Sequence, residues 1–313
     1  MQAGPEVIAL GEALVEIMRP ERDSPLDAAG SFEGPFPSGA PAIFASAAAR
    51  LGLQTGFIGA VGDDAFGRLF NTRLNGDGVD LTHLHVDTEH ATGVAFVAYR
   101  HDGSREFVYH LRHSAAGQAP PLLPSYFANA RWIHITGSTL ASGPAWQSTC
   151  EQAARLGKAA GSYVSFDPNI RPELLRAASV TELCGGILSV ADVVLPSGEE
   201  LTMLTGRQGA GAAQALFDKG VRMVVLKQGA EGSTLYTHED ELHMASRPRE
   251  ERDPTGAGDA FAAAIAYGVL RGLTHHQMLR LANSVGALAV TKLGPMEGIP
   301  FLATALQDAE DDE

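Results

Sequence analysis

The sequence predicts an α/β fold, in which a largely parallel sheet is covered by helices on both faces. Three observations predict it. Short apolar, β-rich runs recur along the chain with helical segments between them. Strands that alternate with helices run parallel, because each crossover carries the chain back to start the next strand in the same direction. The 313 residues are 45% hydrophobic and include 35 glycines, a composition that can bury a large core and is unlike that of a disordered chain. Finally, the glycine-rich run Asp253-Pro254-Thr255-Gly256-Ala257-Gly258-Asp259 passes directly into the apolar stretch Ala260-Phe261-Ala262-Ala263-Ala264-Ile265, a turn that opens a helix.

In chain order, Val7–Leu10, Thr55–Ala60, Trp132–Thr136, Tyr163–Asp167, Asp192–Leu195, Met223–Lys227 and Ser233–Tyr236 read as strands. Each is a short apolar run of strand length. Pro41–Leu51, Ala65–Asn75, Pro144–Ala159, Ala210–Lys219, Ala257–Arg271 and His275–Lys292 read as helices, several with an apolar face at helical period. One segment breaks the alternation. Thr92–Arg100 and Arg105–Leu111 are two extended runs joined by His101-Asp102-Gly103-Ser104, and Asp-Gly is a hairpin-turn pair. Such an inserted hairpin is either a lid or an ordinary antiparallel edge. A lid would exclude water from a site beyond the carboxyl ends of the strands, where open α/β sheets bind ligands. Asp167-Pro168-Asn169, Pro196-Ser197 and Gly229 fall at those ends. The tail Gln307–Glu313 is acidic and expected to fray.

Charge and composition remove several classes of function. A formal net charge of −14 repels phosphate backbones and anionic membranes, so no nucleic-acid partner is expected. No apolar run is long enough to cross a bilayer. The N-terminal segment carries Glu6, Glu12 and Glu16 and no basic region of a signal peptide. Cys150 and Cys184 are too few and too far apart for a disulfide framework and read as reduced core thiols. A cytoplasmic location is the expectation. The pairs His83 with His85, His110 with His113, and His275 with His276 form no metal-ligand pattern.

The glycine-rich run carries the chemistry. Small residues let backbone N–H groups approach an anion, and the helix N-terminus adds partial positive charge. Asp259, in the first turn, can take a proton from whatever attacks that anion, so the run reads as a site of phosphoryl transfer. The alternative is a loop and helix cap. The P-loop pattern is absent, and no strand is followed by Gly-x-Gly-x-x-Gly, which argues against a dinucleotide oxidoreductase.

Together with Ser38-Gly39-Ala40-Pro41-Ala42, Ala48–Gly52, Ile58–Gly67, Asp167–Pro172, Leu226–Gly232 and Ala282–Leu288, this run resembles the PfkB, or ribokinase-like, family of carbohydrate kinases over essentially the whole chain. The resemblance implies a Rossmann-like three-layer core with a mainly parallel sheet. It also implies a small β-sheet lid contributed by about residues 12–37 and 90–113, within one domain spanning 1–313. It implies ATP and Mg²⁺, room for a monovalent cation such as K⁺, and a homodimer formed through the lid. Under it Asp259 is the general base, and the N–H groups of Gly256, Ala257 and Gly258 form the anion hole. Lys227, Gly229, Gly232, Thr255 and Asn283 attend the nucleotide, and Glu200 handles Mg²⁺ through water. Gly11, Glu16, Gly39, Tyr109, Asn169 and Arg171 attend the sugar.

Substrate identity is where the sequence departs from the family. Ser38, Ile43 and Ser197 stand where relatives carry Gly, Asn and Asn. Asn169-Ile170-Arg171 and Tyr109 favour a 2-keto-3-deoxy sugar acid such as 2-keto-3-deoxygluconate, with Arg171 as a bidentate fork for its carboxylate. Leu111 stands where those kinases have an Arg, and Arg112 would point to the opposite face of the strand. Fructokinases share Asn169 and Arg171, so a fructokinase or other neutral-sugar kinase stays open. A nucleoside kinase, stacking its base on Phe96, Tyr99, Phe107 or Tyr109, and a non-catalytic sugar- or nucleotide-binding regulator are the remaining alternatives.

Overall fold

The computed structural model describes residues 4–101, 104–170, 173–174 and 179–310. Its strands are β1 (Val7–Leu10), β2 (Leu14–Met18), β3 (Glu33–Ser38), β4 (Thr55–Gly62), β5 (Leu84–Asp87), β6 (Gly93–Tyr99), β7 (Arg105–His110), β8 (Trp132–Thr136), β9 (Tyr163–Asp167), β10 (Val193–Val194), β11 (Met223–Lys227), β12 (Ser233–Tyr236) and β13 (Glu241–Met244). Nine of them form the main sheet in the order β13-β12-β11-β10-β9-β8-β1-β4-β5. Pairing is parallel from β5 to β11. The chain first builds outward from β1 to β4 and β5, then crosses to β8 on the other side of β1. That reversal opens a crevice beyond the carboxyl ends of β1 and β8, where such sheets hold ligands.

Successive strand residues point to opposite faces, and the core divides accordingly. Val7, Ala9, Trp132, Val193 and Val225 join one cluster, packed against helices Ala40–Arg50, Ala65–Gly76, Ala257–Arg271, His275–Ala289 and Leu302–Glu310. Ile8, Leu10, Ile133, Val194 and Val224 join the other, under helices Pro144–Ala159, Val180–Leu188, Gly198–Thr205 and Gly209–Phe217. These are the three expected layers.

The exceptions have local causes. Pairing of β12 with β11 and β13 is antiparallel, because the turn Gln228–Gly232 is too short for a crossover. Only Val193–Val194 of the run Asp192–Leu195 forms ladder pairs. The final long helix stops at Ala289, not Lys292.

The inserted hairpin is not an edge of the main sheet. Its strands β6 and β7 pair antiparallel from Val94↔His110 to Tyr99↔Arg105, and β6 pairs parallel with β2, giving a separate sheet β3-β2-β6-β7. The turn residues Asp102 and Gly103 lie outside the described residues. At the far rim, β3 contains Pro35 and Pro37.

Candidate active site

The helix Ala257–Arg271 starts from Gly256 in the left-handed conformation, φ 82°. A Cβ there would lie 2.3 Å from the carbonyl oxygen of Pro295 and 3.0 Å from Cγ2 of Ile43, so only glycine fits. Asp259 is buried in the first helical turn. Behind it, the fully buried Asp253 receives three donors from three chain segments. Thr255 N–H donates to its Oδ1 at 2.9 Å, Gly294 N–H to its Oδ2 at 2.9 Å, and the Tyr99 hydroxyl to its Oδ1 at 2.6 Å. The same hydroxyl lies 2.5 Å from Thr255 Oγ1. Burial, then the Asp253 charge, pushes the Tyr99 phenol far above the usual tyrosine range, so it stays a donor. A residue of the small sheet is thereby bonded to the glycine turn.

Two clefts meet at that turn and share Lys227, Pro254 and Gly258. The first, about 250 Å³, lies between the small sheet and the ends of the main-sheet strands. From β7 it takes Arg105, Phe107 and Tyr109, and beyond the strand Leu111, every second residue and so one face of the hairpin. The Phe107 and Tyr109 rings stack at 5.2 Å. Opposite them stand Glu12, Glu16, Asp167, Glu200 and Asp259. Glu12 accepts hydroxyl bonds from Ser138 at 2.7 Å and Thr139 at 2.5 Å. Asn169, at φ 36°, donates its N–H to Asp167 Oδ1 at 3.1 Å. Lys227 Nζ is 2.5 Å from Asp167 Oδ2. Burial works against the Lys227 ammonium, yet the charges of Asp167, Glu200 and Asp259 hold its pKa above the usual lysine value.

Glu200 closes a capping box with Ser197, and its carboxylate accepts N–H bonds from Ser197 at 2.7 Å and Ile170 at 2.8 Å. The second cleft, about 340 Å³, has glycine walls at Gly229, Gly232 and Gly286 and an apolar floor of Phe261, Ala287 and Val290. Asn283 lines it, but its amide is taken up within the protein. Oδ1 accepts from Ser233 Oγ at 2.9 Å, and Nδ2 donates to Met244 O at 2.9 Å.

Most residues singled out in the sequence converge here. Glu16, Gly39, Tyr109, Asn169, Glu200, Thr255, Gly256 and Asp259 line the first cleft, Gly229, Gly232, Ala257 and Asn283 the second, and Lys227 and Gly258 both. Gly11 does not line either. A Cβ there would be 2.1 Å from Thr139 Oγ1, so close packing leaves room only for glycine. Arg171 lies outside the described residues. Leu111 faces the first cleft, whereas Arg112 lines a neighbouring groove. Arg105 and Ser138 went unrecognised in the sequence, whereas Phe107 stands there only as a base-stacking candidate. The period-two pattern through Phe107 and Tyr109 leads back to Arg105. Among the described residues no three His, Cys, Asp or Glu side chains form a metal-binding group, and no helix is long and apolar enough to cross a membrane.

Residues 5–302 match the pfkB family of carbohydrate kinases. A fructokinase of Escherichia coli is 34% identical over 94% of this chain and 96% of its own length. An Escherichia coli protein named as a candidate Ribokinase II, solved with ATP and Mg²⁺, superposes with a TM-score of 0.91 at 36% identity, covering 98% of this chain and 99% of that one. A fructokinase of Vibrio cholerae O395, solved with fructose, ADP and calcium, superposes with a TM-score of 0.82 at 31% identity, covering 98% and 100%.

Proposed function

The chain belongs to the pfkB family of carbohydrate kinases, and from that premise we propose that it transfers the γ-phosphoryl group of ATP to a hydroxyl of a neutral ketose, fructose first. The observation that carries the reading is Asp259 in the first turn behind Gly256, at the junction of a polar cleft and a glycine-walled, apolar-floored one. Asp259 takes the proton of the acceptor hydroxyl. The acceptor oxygen forms the new P–O bond while the bond to the bridging oxygen breaks and ADP leaves with the electron pair. The backbone N–H groups of Gly256, Ala257 and Gly258 donate to the charge spread over the transferring group.

The second cleft suits a nucleotide, because its floor is apolar and its glycines let backbone come close. Gly229, Gly232 and Thr255 would hold ATP, with Asn283 keeping the wall in place. Glu200 would act on Mg²⁺ through water, since Mg²⁺ keeps part of its hydration shell. The small sheet excludes water over the acceptor.

A neutral acceptor fits the first cleft better than the sugar acid expected from Arg171. Among the described residues, five carboxylates and two cations, Arg105 and Lys227, line it. Sugar hydroxyls donate to carboxylates, whereas an acid would be repelled by them. The fructokinase relatives support the same reading. A sugar acid stays as the second reading on one observation: Arg105 faces the cleft and makes no ion pair among the described residues.

The test is Mg²⁺-ATP-dependent ADP release on fructose, tagatose, ribose, 2-keto-3-deoxygluconate and adenosine, with Asp259→Asn as control. Fructose is expected to be preferred. Asp259→Asn should lower kcat by roughly 10²–10⁴-fold with nucleotide affinity retained. A preference for the acid that collapses in Arg105→Ala would replace the neutral-sugar reading, and silence on every acceptor would refute it.

A further inference from the structure

We infer that Lys227 is a catalytic residue of the phosphoryl transfer, the mobile positive charge that meets the transferring group, and that Asp167 is its positioning residue. The inference rests on the kinase reading above. Lys227 stands at the end of β11 and is the one charged side chain that lines both clefts among the described residues. Its ammonium lies against the anion-hole backbone, since a Cβ built on Gly258 would be 3.4 Å from Nζ and 3.8 Å from Cδ. A buried carboxylate, Asp167, holds that ammonium at 2.5 Å from the acceptor side.

Backbone N–H groups supply only partial charge, and a phosphoryl group in transfer spreads full negative charge over its equatorial oxygens. The lysine remains protonated throughout. The acceptor proton goes to Asp259, and the electron pair leaves with ADP. Asp167 prevents the ammonium from entering the nucleotide cleft when no third phosphate is present and returns it to the junction afterwards. A purely structural ion pair would have no reason to face two clefts. A buried carboxylate already bonded to the Asn169 N–H would be served as well by a lysine turned away from the glycine turn.

The experiment compares Lys227→Met, Lys227→Arg, Asp167→Asn and the double variant Lys227→Met/Asp167→Asn. It measures kcat and KM on the preferred sugar, thermal unfolding, and equilibrium binding of ADP and of a non-hydrolysable ATP analogue. Lys227→Met is expected to lower kcat by about 10²–10³-fold while sugar KM and ADP affinity move by no more than about threefold. Its preference for the ATP analogue over ADP should vanish. Lys227→Arg should recover part of the rate. Asp167→Asn should lower kcat while leaving that preference in place.

Lys227→Met removes the Lys227 ammonium from the buried Asp167 and is expected to unfold at lower temperature, and the double variant removes that mismatch. If the double variant regains both stability and turnover, the pair is structural and the inference fails. If Lys227→Met keeps its analogue preference and its rate, the inference fails as well. A wild-type protein that phosphorylates no sugar, yet loses the analogue preference in Lys227→Met, refutes the assigned function and keeps the cation at the γ-phosphate.

Discussion

Replacing Gly256 by alanine should damage the reaction far more than the fold. The added Cβ would lie 2.3 Å from the Pro295 carbonyl oxygen and 3.0 Å from Ile43 Cγ2. Since Cβ atoms are not found within 3.0 Å of such atoms, something must move by about 1 Å, enough to cost roughly 10²-fold when it falls on reacting groups. The loop carrying Pro295 is poorly placed to yield. Gly294 N–H is bonded to Asp253, Met296 O accepts from Arg73 at 2.7 Å, and Ile299 O accepts from Arg50 at 2.7 Å. The anion-hole turn therefore moves. Left-handed backbone adds about 1–2 kcal/mol for a residue with a Cβ.

The other end of the same helix supplies the control. Gly272 is also left-handed, φ 70°, but a Cβ there meets nothing within 4 Å. Gly272→Ala should lose about 1–2 kcal/mol of stability and keep its turnover. Steady-state kcat, nucleotide affinity and chemical unfolding of both variants decide the matter. Gly256→Ala should lose roughly 10²-fold in kcat with ADP affinity changed only a few-fold. Equal kcat in the two alanine variants would refute the steric argument.

Two further expectations follow from buried polar groups. Tyr99→Phe leaves the buried Asp253 carboxylate and Thr255 without the hydroxyl that joins them to the small sheet. It should cost about 1–3 kcal/mol and lower kcat. Unchanged unfolding in denaturant would show that the hydroxyl contributes nothing. His134 lies fully buried on β8, stacked on Phe44 at 3.7 Å, and burial, with the Lys227 charge, pushes its pKa down to about 3. The folded imidazole stays neutral while the unfolded one gains a proton below about 6.5, so its stabilising share is full above that pH and is lost as pH falls towards 3. Between pH 7 and pH 5 this group alone should remove about 2 kcal/mol. Unfolding free energies of wild type and His134→Gln at both pH values test it, and parallel losses would exclude His134 as the cause.

The central strands and the Asp259 turn are legible in the sequence because their signals are local. Ile8 and Leu10 sit in a wholly aliphatic run, and the glycines of the turn adjoin the carboxylate they serve. The strands β2 and β3 are not legible in this way. Leu14–Met18 has Glu16 at its centre because that side faces a cleft, and β3 carries a glycine and two prolines. The acidity of the first cleft is invisible for a different reason. Glu12 and Glu16 share one stretch, but Asp167, Glu200 and Asp259 come from three others far along the chain, and no spacing rule sums charges that only the fold assembles. Arg171, conspicuous beside Asn169 in the sequence, carries the expectation of a sugar acid and lies outside the described residues. Arg105 carries only a period-two signal, three alternate positions back along the strand face from Leu111.

The small sheet has two rims, and they are chemically unequal. Pro37 pairs with Val15 in the β2–β3 ladder and Pro35 lies at its register shift, and neither has an N–H to offer a further strand. That rim has lost donors a docking strand would need. The rim at β7, through Arg105, Phe107 and Tyr109, keeps every donor. Any extended peptide that adds itself to this sheet must therefore do so beyond β7, beside the mouth of the first cleft, where growth of the sheet and admission of the sugar would compete for the same doorway.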